Sequence, residues 1–195
     1  MLKSTPRAAK RLSVIAPENR TPEQEAAVQR LIATPRGTIR GPFEVLLHSP
    51  ELLDKTQALG EFLRYRCSIP QPLRELAILV TARFWNQTYE WGMHAPLAVK
   101  AGVSQEVVDA IGNATTMPKM AFDEMVIVRF CTSVHEERSV PDELYEQAQA
   151  LFGDAGVAEL IGLCGYYALL AMMMNVARTP LPEATDAPFS PPEGT

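Results

Sequence analysis

Residues 72–104 read PLRELAILVTARFWNQTYEWGMHAPLAVKAGVS, and the two helices written there decide the fold. Pro72 suits a first helical turn, and Leu73, Leu76, Ala77, Val80 and Phe84 follow the i, i+3, i+4 rule that puts them on one core-facing stripe. Arg74 and Glu75 fall outside that stripe. After a break at Asn86-Gln87-Thr88, a second helix is expected to run to Ala101, with Gly102 as its left-handed stop. Strand alternation is hardly seen.

The same punctuation recurs outward from this segment, which predicts an all-α chain. Thr21-Pro22-Glu23 opens a helix that ends near Thr34-Pro35, and Ser49-Pro50-Glu51 opens another reaching about Cys67. Downstream, Ser104 caps a short helix. Thr116-Met117-Pro118 is expected to start a long apolar helix ending near Glu136-Glu137-Arg138. Pro141-Asp142-Glu143 starts the next, Gly153 stops it, and an apolar run up to Asn175 forms the last. The predicted organisation is a flexible arm over residues 1–20, one helical domain over 21–179, and a tail over 180–195. That tail contains Pro180, Pro182, Pro188, Pro191 and Pro192 and should cross the surface as extended chain, either on its own body or on a neighbouring subunit.

Composition narrows the function. With 195 residues and 47% hydrophobic residues, one ordinary core needs no disulfide or metal to hold it. A net charge of −5 lacks the positive field that phosphate backbones require, so nucleic acid is not an expected partner. The basic residues Lys3, Arg7, Lys10 and Arg11 have no interleaved aromatics and read as a solvated arm. Leu160 to Ala177 carries no formal charge, but Gly162, Gly165, Tyr166, Tyr167 and Asn175 suit a helix buried in a bundle or subunit interface better than a membrane span. Cys67, Cys131 and Cys164 are odd in number and far apart, and no apolar signal core follows Met1. They read as buried small hydrophobes in a reducing cytoplasm.

The densest cluster of reactive residue types is Tyr89-Glu90-Trp91-Gly92-Met93-His94-Ala95-Pro96. Glu90 and His94, four apart, stack on one helical face within hydrogen-bonding reach and can share a proton near neutral pH. Pro96 leaves the Gly92 carbonyl without its amide donor, and the resulting bend is expected to open a polar cavity beside the pair. His48 and His135 are isolated, and Met172-Met173-Met174 reads as packing, so no metal site is expected.

The stretch Arg74-Glu75-Leu76-Ala77-Ile78-Leu79, followed by Tyr89-Glu90-Trp91, His94 and Ala101-Gly102-Val103-Ser104, resembles the carboxymuconolactone decarboxylase family of the alkylhydroperoxidase D-like superfamily. The likeness is strongest over residues 70–112 and extends loosely from Phe43 to Glu183. It implies an all-α helical bundle whose subunits intertwine as dimers, trimers or hexamers, with a site beside the helix carrying His94. The superfamily's redox branch uses Cys-x-x-Cys with a histidine four residues later, whereas this chain has Gln87 and Glu90 at the two cysteine positions. Thiol peroxidase activity, the first alternative, is disfavoured on that ground. The decarboxylase branch implies removal of CO₂ from a small carboxylated lactone or cyclic acid of aromatic catabolism, without cofactor. Glu90 and His94 are then the acid and its partner, Arg83 and Arg74 candidate carboxylate anchors, and Tyr89 and Trp91 candidate pocket walls. A non-enzymatic oligomeric binding module is the second alternative.

Overall fold

The computed structural model describes residues 10–182 and 184–192, so Lys3, Arg7, Glu183 and the last three residues lie outside the described residues. Its centre is α4 (Gln71–Phe84), in which Leu73 and every residue from Glu75 to Ala82 are buried. That single fact corrects the one-stripe reading. The helix is enclosed by α5 (Thr88–Ala101), α6 (Gln105–Asn113), α7 (Phe122–Glu136) and α8 (Asp142–Ala177). Leu76, Leu79 and Phe130 have no accessible surface, and each contributes roughly 1.5–3 kcal/mol of burial.

The remaining α-helices are α1 (Pro22–Ile32), α2 (Pro42–Leu46) and α3 (Pro50–Tyr65), preceded by a short 3-10 helix (Pro17–Asn19), and no strand occurs among the described residues. The start of α1 is fixed reciprocally: Gln24 N donates to Thr21 Oγ1, and Thr21 N donates to the Gln24 side chain. Gly102 adopts φ 111° as the stop of α5, and Ser104 Oγ accepts from Val107 N at the start of α6. Short α2 has no counterpart in the sequence reading. At α7 the expected start at Thr116 to Pro118 is displaced to Phe122, where Glu124 reaches back to accept from Ala121 N. Residues 115–120 belong to no helix.

Helix α8 is two helices in line, broken where Gly153 takes φ 66°, ψ 176°. Its second half is long and apolar enough to span a membrane, yet half of that window is buried in the body. Both ends of the described residues lie on the body. Arg11 N donates to Ala177 O, the Ser13 carbonyl meets His48 Nε2 at 3.0 Å, and Ile15 packs on the core. At the other end, Phe189 sets its ring edge-on to Trp91, with centroids 5.3 Å apart.

Candidate functional site

Two helices present the reactive side chains. From α5 come Glu90 and His94, and from the core face of α4 comes Glu75; all three are buried. His94 Nδ1 donates to Glu75 Oε2 at 2.6 Å, while Nε2 faces Glu90 Oε2 at 3.4 Å. The imidazole therefore bridges two carboxylates. Burial opposes charge on the ring, but hydrogen bonds to Glu75 and Glu90, with their negative charges, outweigh it and raise the His94 pKa. Tyr167 of α8 sets its ring edge against His94 at 5.2 Å and fixes the ring plane.

Beside this triad lies a cavity of about 110 Å³, lined on one wall by Tyr89, Glu90, Met93 and His94. Three arginines also line it: Arg36 and Arg40 from the segment before α2, and Arg64 from the end of α3. None of the three is ion-paired among the described residues. Burial opposes the charge of Arg64, but Tyr167, Tyr65, Glu75 and Glu90 outweigh it and raise its pKa. Arg36 lies 4.4 Å over the Phe43 ring, donates to the Tyr166 hydroxyl at 3.3 Å, and buries Nε without a partner. The Arg36, Arg40 and Arg64 guanidinium groups thus share one cavity lining with Glu90 and His94.

The phenols complete the lining. Burial pushes Tyr89 up to about 12, and burial with the nearby Glu90 charge also raises Tyr167, so both stay protonated donors in neutral solution.

Of the residues singled out from sequence, Glu90, His94 and Tyr89 meet in this cavity, while Arg74, Arg83 and Trp91 do not line it. Arg74 is turned to the Ile69 carbonyl, to which Nη1 donates at 2.8 Å. Arg83 donates to the Gly112 carbonyl at 3.0 Å and lies under Phe189. Trp91 is buried between Gly112 and the tail. Nor does Gly92 open the cavity. Its missing side chain lets the tail approach, since a Cβ there would stand 2.7 Å from Thr185 Oγ1. The cysteines also need correction: all three are buried, yet Cys131 and Cys164, far apart in sequence, have sulfurs 3.4 Å apart.

Among the described residues no group of three or more His, Cys, Asp or Glu side chains is arranged to hold a metal. Residues 50–121 match the model of the carboxymuconolactone decarboxylase family, a span that holds Glu75, Glu90, His94 and Arg64. No curated protein matches the chain. Among solved structures, an uncharacterised peroxidase-related protein from Ralstonia eutropha JMP134 with the alkylhydroperoxidase AhpD core superposes with TM-score 0.71. It is 15% identical, over 90% of this chain and 94% of its own. The debrominase Bmp8, a cysteine-to-alanine variant in complex with 2,3,4-tribromopyrrole, superposes with TM-score 0.69 at 12% identity, over 91% of this chain and 95% of its own. At these identities the superpositions establish the fold. The chain thus matches the carboxymuconolactone decarboxylase family model over residues 50–121 and shares the fold of the alkylhydroperoxidase AhpD core over nine-tenths of its length.

Proposed function

We propose that this protein decarboxylates a small carboxylated lactone or related cyclic acid without a cofactor, using the cavity lined by His94 and the three arginines. The observation that carries this reading is the buried Glu75–His94–Glu90 relay, which opens onto unpaired guanidinium groups. The cavity of about 110 Å³ limits any ligand it takes to a small one. Arg64, Arg36 and Arg40 would hold the substrate's anionic groups, and guanidinium can grip a carboxylate in bidentate fashion.

Decarboxylation breaks the bond from ring carbon to carboxylate carbon. CO₂ leaves, and the electron pair passes into the conjugated lactone carbonyl as an enolate. The phenols of Tyr89 and Tyr167 are the neutral donors available to the enolate oxygen. Protonation at carbon completes the reaction: the proton passes from His94 Nε2 to Glu90 and from Glu90 to the substrate, while Glu75 keeps the Nδ1 hydrogen and the ring orientation. Solvent then restores the spent proton.

The test is CO₂ release from a panel of carboxylated lactones and cyclic acids, with their methyl esters as controls and a halogenated pyrrole included because Bmp8 was solved with one. The expected result is turnover of a free acid and none of its ester, with KM raised roughly tenfold or more by Arg64→Met and kcat less affected. Release from no member of the panel, or equal KM in the Arg64 variant, would count against the proposal.

A further inference from the structure

Residues 35–41, PRGTIRG, join α1 to α2 and carry Arg36 and Arg40 to the cavity beside His94. Every lining residue outside this stretch sits on α2, α3, α5 or α8. Its backbone is weakly tied. Arg36 N donates to Thr34 Oγ1 at 3.3 Å and Gly37 N to the Thr34 carbonyl, but the amides of Thr38, Ile39, Arg40 and Gly41 donate no hydrogen bond among the described residues. Pro35, Gly37, Thr38 and Arg40 are exposed. Gly37 has φ 67°, and Gly41 combines φ 59° with ψ −123°, a conformation strained for any residue with a Cβ. Side chains hold the stretch down instead. Arg36 rests over Phe43 and donates to the Tyr166 hydroxyl, and Ile39 packs on the core. At the far end Gly41 lies so close to Tyr89 that a Cβ would stand 2.5 Å from its ring. Residues 35–41 are therefore shut on the cavity, yet few bonds break when they lift. Helices α3, α5 and α8 meet the same cavity with buried faces, and parting them would expose core. A ligand enters where opening costs least, which is through this stretch.

We propose that residues 35–41 are a lid over the His94 cavity, and that a carboxylate ligand closes it by engaging Arg36 and Arg40. Three guanidinium groups, those of Arg36, Arg40 and Arg64, share the lining with one carboxylate, that of Glu90. When the lid lifts, Arg36 and Arg40 leave the cavity, so a bound anion meets all three cations only in the closed arrangement. That difference in contacts is what shifts the lid toward closure. An uncharged ester gains nothing from it. Arg36 and Arg40 thus determine specificity, because the lid stays shut on an acid and not on its ester. The lid rests on the reading of this cavity as a carboxylate site, but not on the fate of the carboxylate once bound.

Trypsin tests the lid, because the Arg36–Gly37 and Arg40–Gly41 bonds both lie within it. Cleavage needs the arginine side chain inside the protease, so it reports withdrawal from the cavity. The exposed turn at Arg138–Ser139 is the internal reference. Limited digestion of the full-length protein, read by mass spectrometry, is run with 2-furoate, a five-membered cyclic acid. Methyl 2-furoate, and sodium chloride at matched ionic strength, are the controls. The expected result is cutting after Arg36 and Arg40 in the free protein, slowed at least about fivefold by 2-furoate and by neither control, with the reference cut unchanged. Arg64→Met, outside the lid, should need roughly tenfold more 2-furoate for the same protection. An uncut lid while Arg138–Ser139 is cleaved would overturn the proposal, as would cutting that 2-furoate leaves unchanged. Protection without CO₂ release from any acid would keep the lid and remove decarboxylation, whereas CO₂ release without protection would do the reverse.

Discussion

His94 is buried between two carboxylates that raise its pKa, and this makes stability depend on pH in a definite direction. Its folded pKa is raised, so the stabilisation is fully present below the unfolded value of about 6.5 and is lost as pH rises through the higher folded value. Melting temperature should therefore fall above neutrality, and His94→Gln should lack that slope. Thermal denaturation of both proteins from about pH 6 to about pH 10 measures it, and parallel curves would refute the assignment. The Glu90 and His94 pairing was legible from their spacing of four, but Glu75 was not. One-stripe periodicity placed it outward, whereas α4 is enclosed on nearly every side. The available signal was the company it keeps: Leu73, Leu76, Ala77, Ile78, Leu79 and Val80 leave a helix almost no polar face, so a carboxylate among them must be buried and needs a cation. The arginines lining the cavity were not legible for a different reason. Arg74 and Arg83 are near the motif in sequence, while Arg36, Arg40 and Arg64 reach the cavity only through tertiary folding.

At the scale of elements, the cavity wall depends on how closely α8 can approach α3. Gly60 sits in the middle of α3, where Ala would improve helix propensity by about 1 kcal/mol. Yet a Cβ there would fall on the Tyr166 hydroxyl and stand 2.6 Å from Arg36 Nη2. Tyr166 is buried against Tyr167 and cannot swing away, so the overlap outweighs the propensity. Gly60→Ala should lose about 1–3 kcal/mol in denaturant unfolding and displace Arg36 from the cavity. A stabilised variant would show that this contact has been misread. Caps and stops marked most helices correctly because they are local chemistry, as at Thr21, Ser104, Gly102 and Gly153. The start of α7 was misplaced because Pro118 suits an extended approach as well as a first turn, and the Glu124 contact decided between them.

For the whole molecule, the last helix is buried along one face and bare along another, where Ile161, Met172 and Val176 remain 49%, 42% and 61% exposed. An apolar stripe of this kind is costly in water, and we propose that a second copy of the chain covers it. Sedimentation velocity at micromolar concentration should show an oligomer, and Val176→Glu should shift it toward monomer; a soluble wild-type monomer would exclude this. The charge balance of the cavity bears on the central claim, that a buried Glu–His–Glu relay delivers a proton to an anionic substrate held by arginine. His94 is a poor single probe, because removing it strands two buried carboxylates at a cost of roughly 3–5 kcal/mol. Glu90→Gln keeps the shape and leaves the 2.6 Å Glu75–His94 bond intact. The decisive measurement is its specific turnover of the responsive substrate, taken beside its melting temperature. A fall of about 10²–10⁴-fold in a protein that still melts close to wild type is predicted, and full turnover by folded Glu90→Gln would contradict the relay.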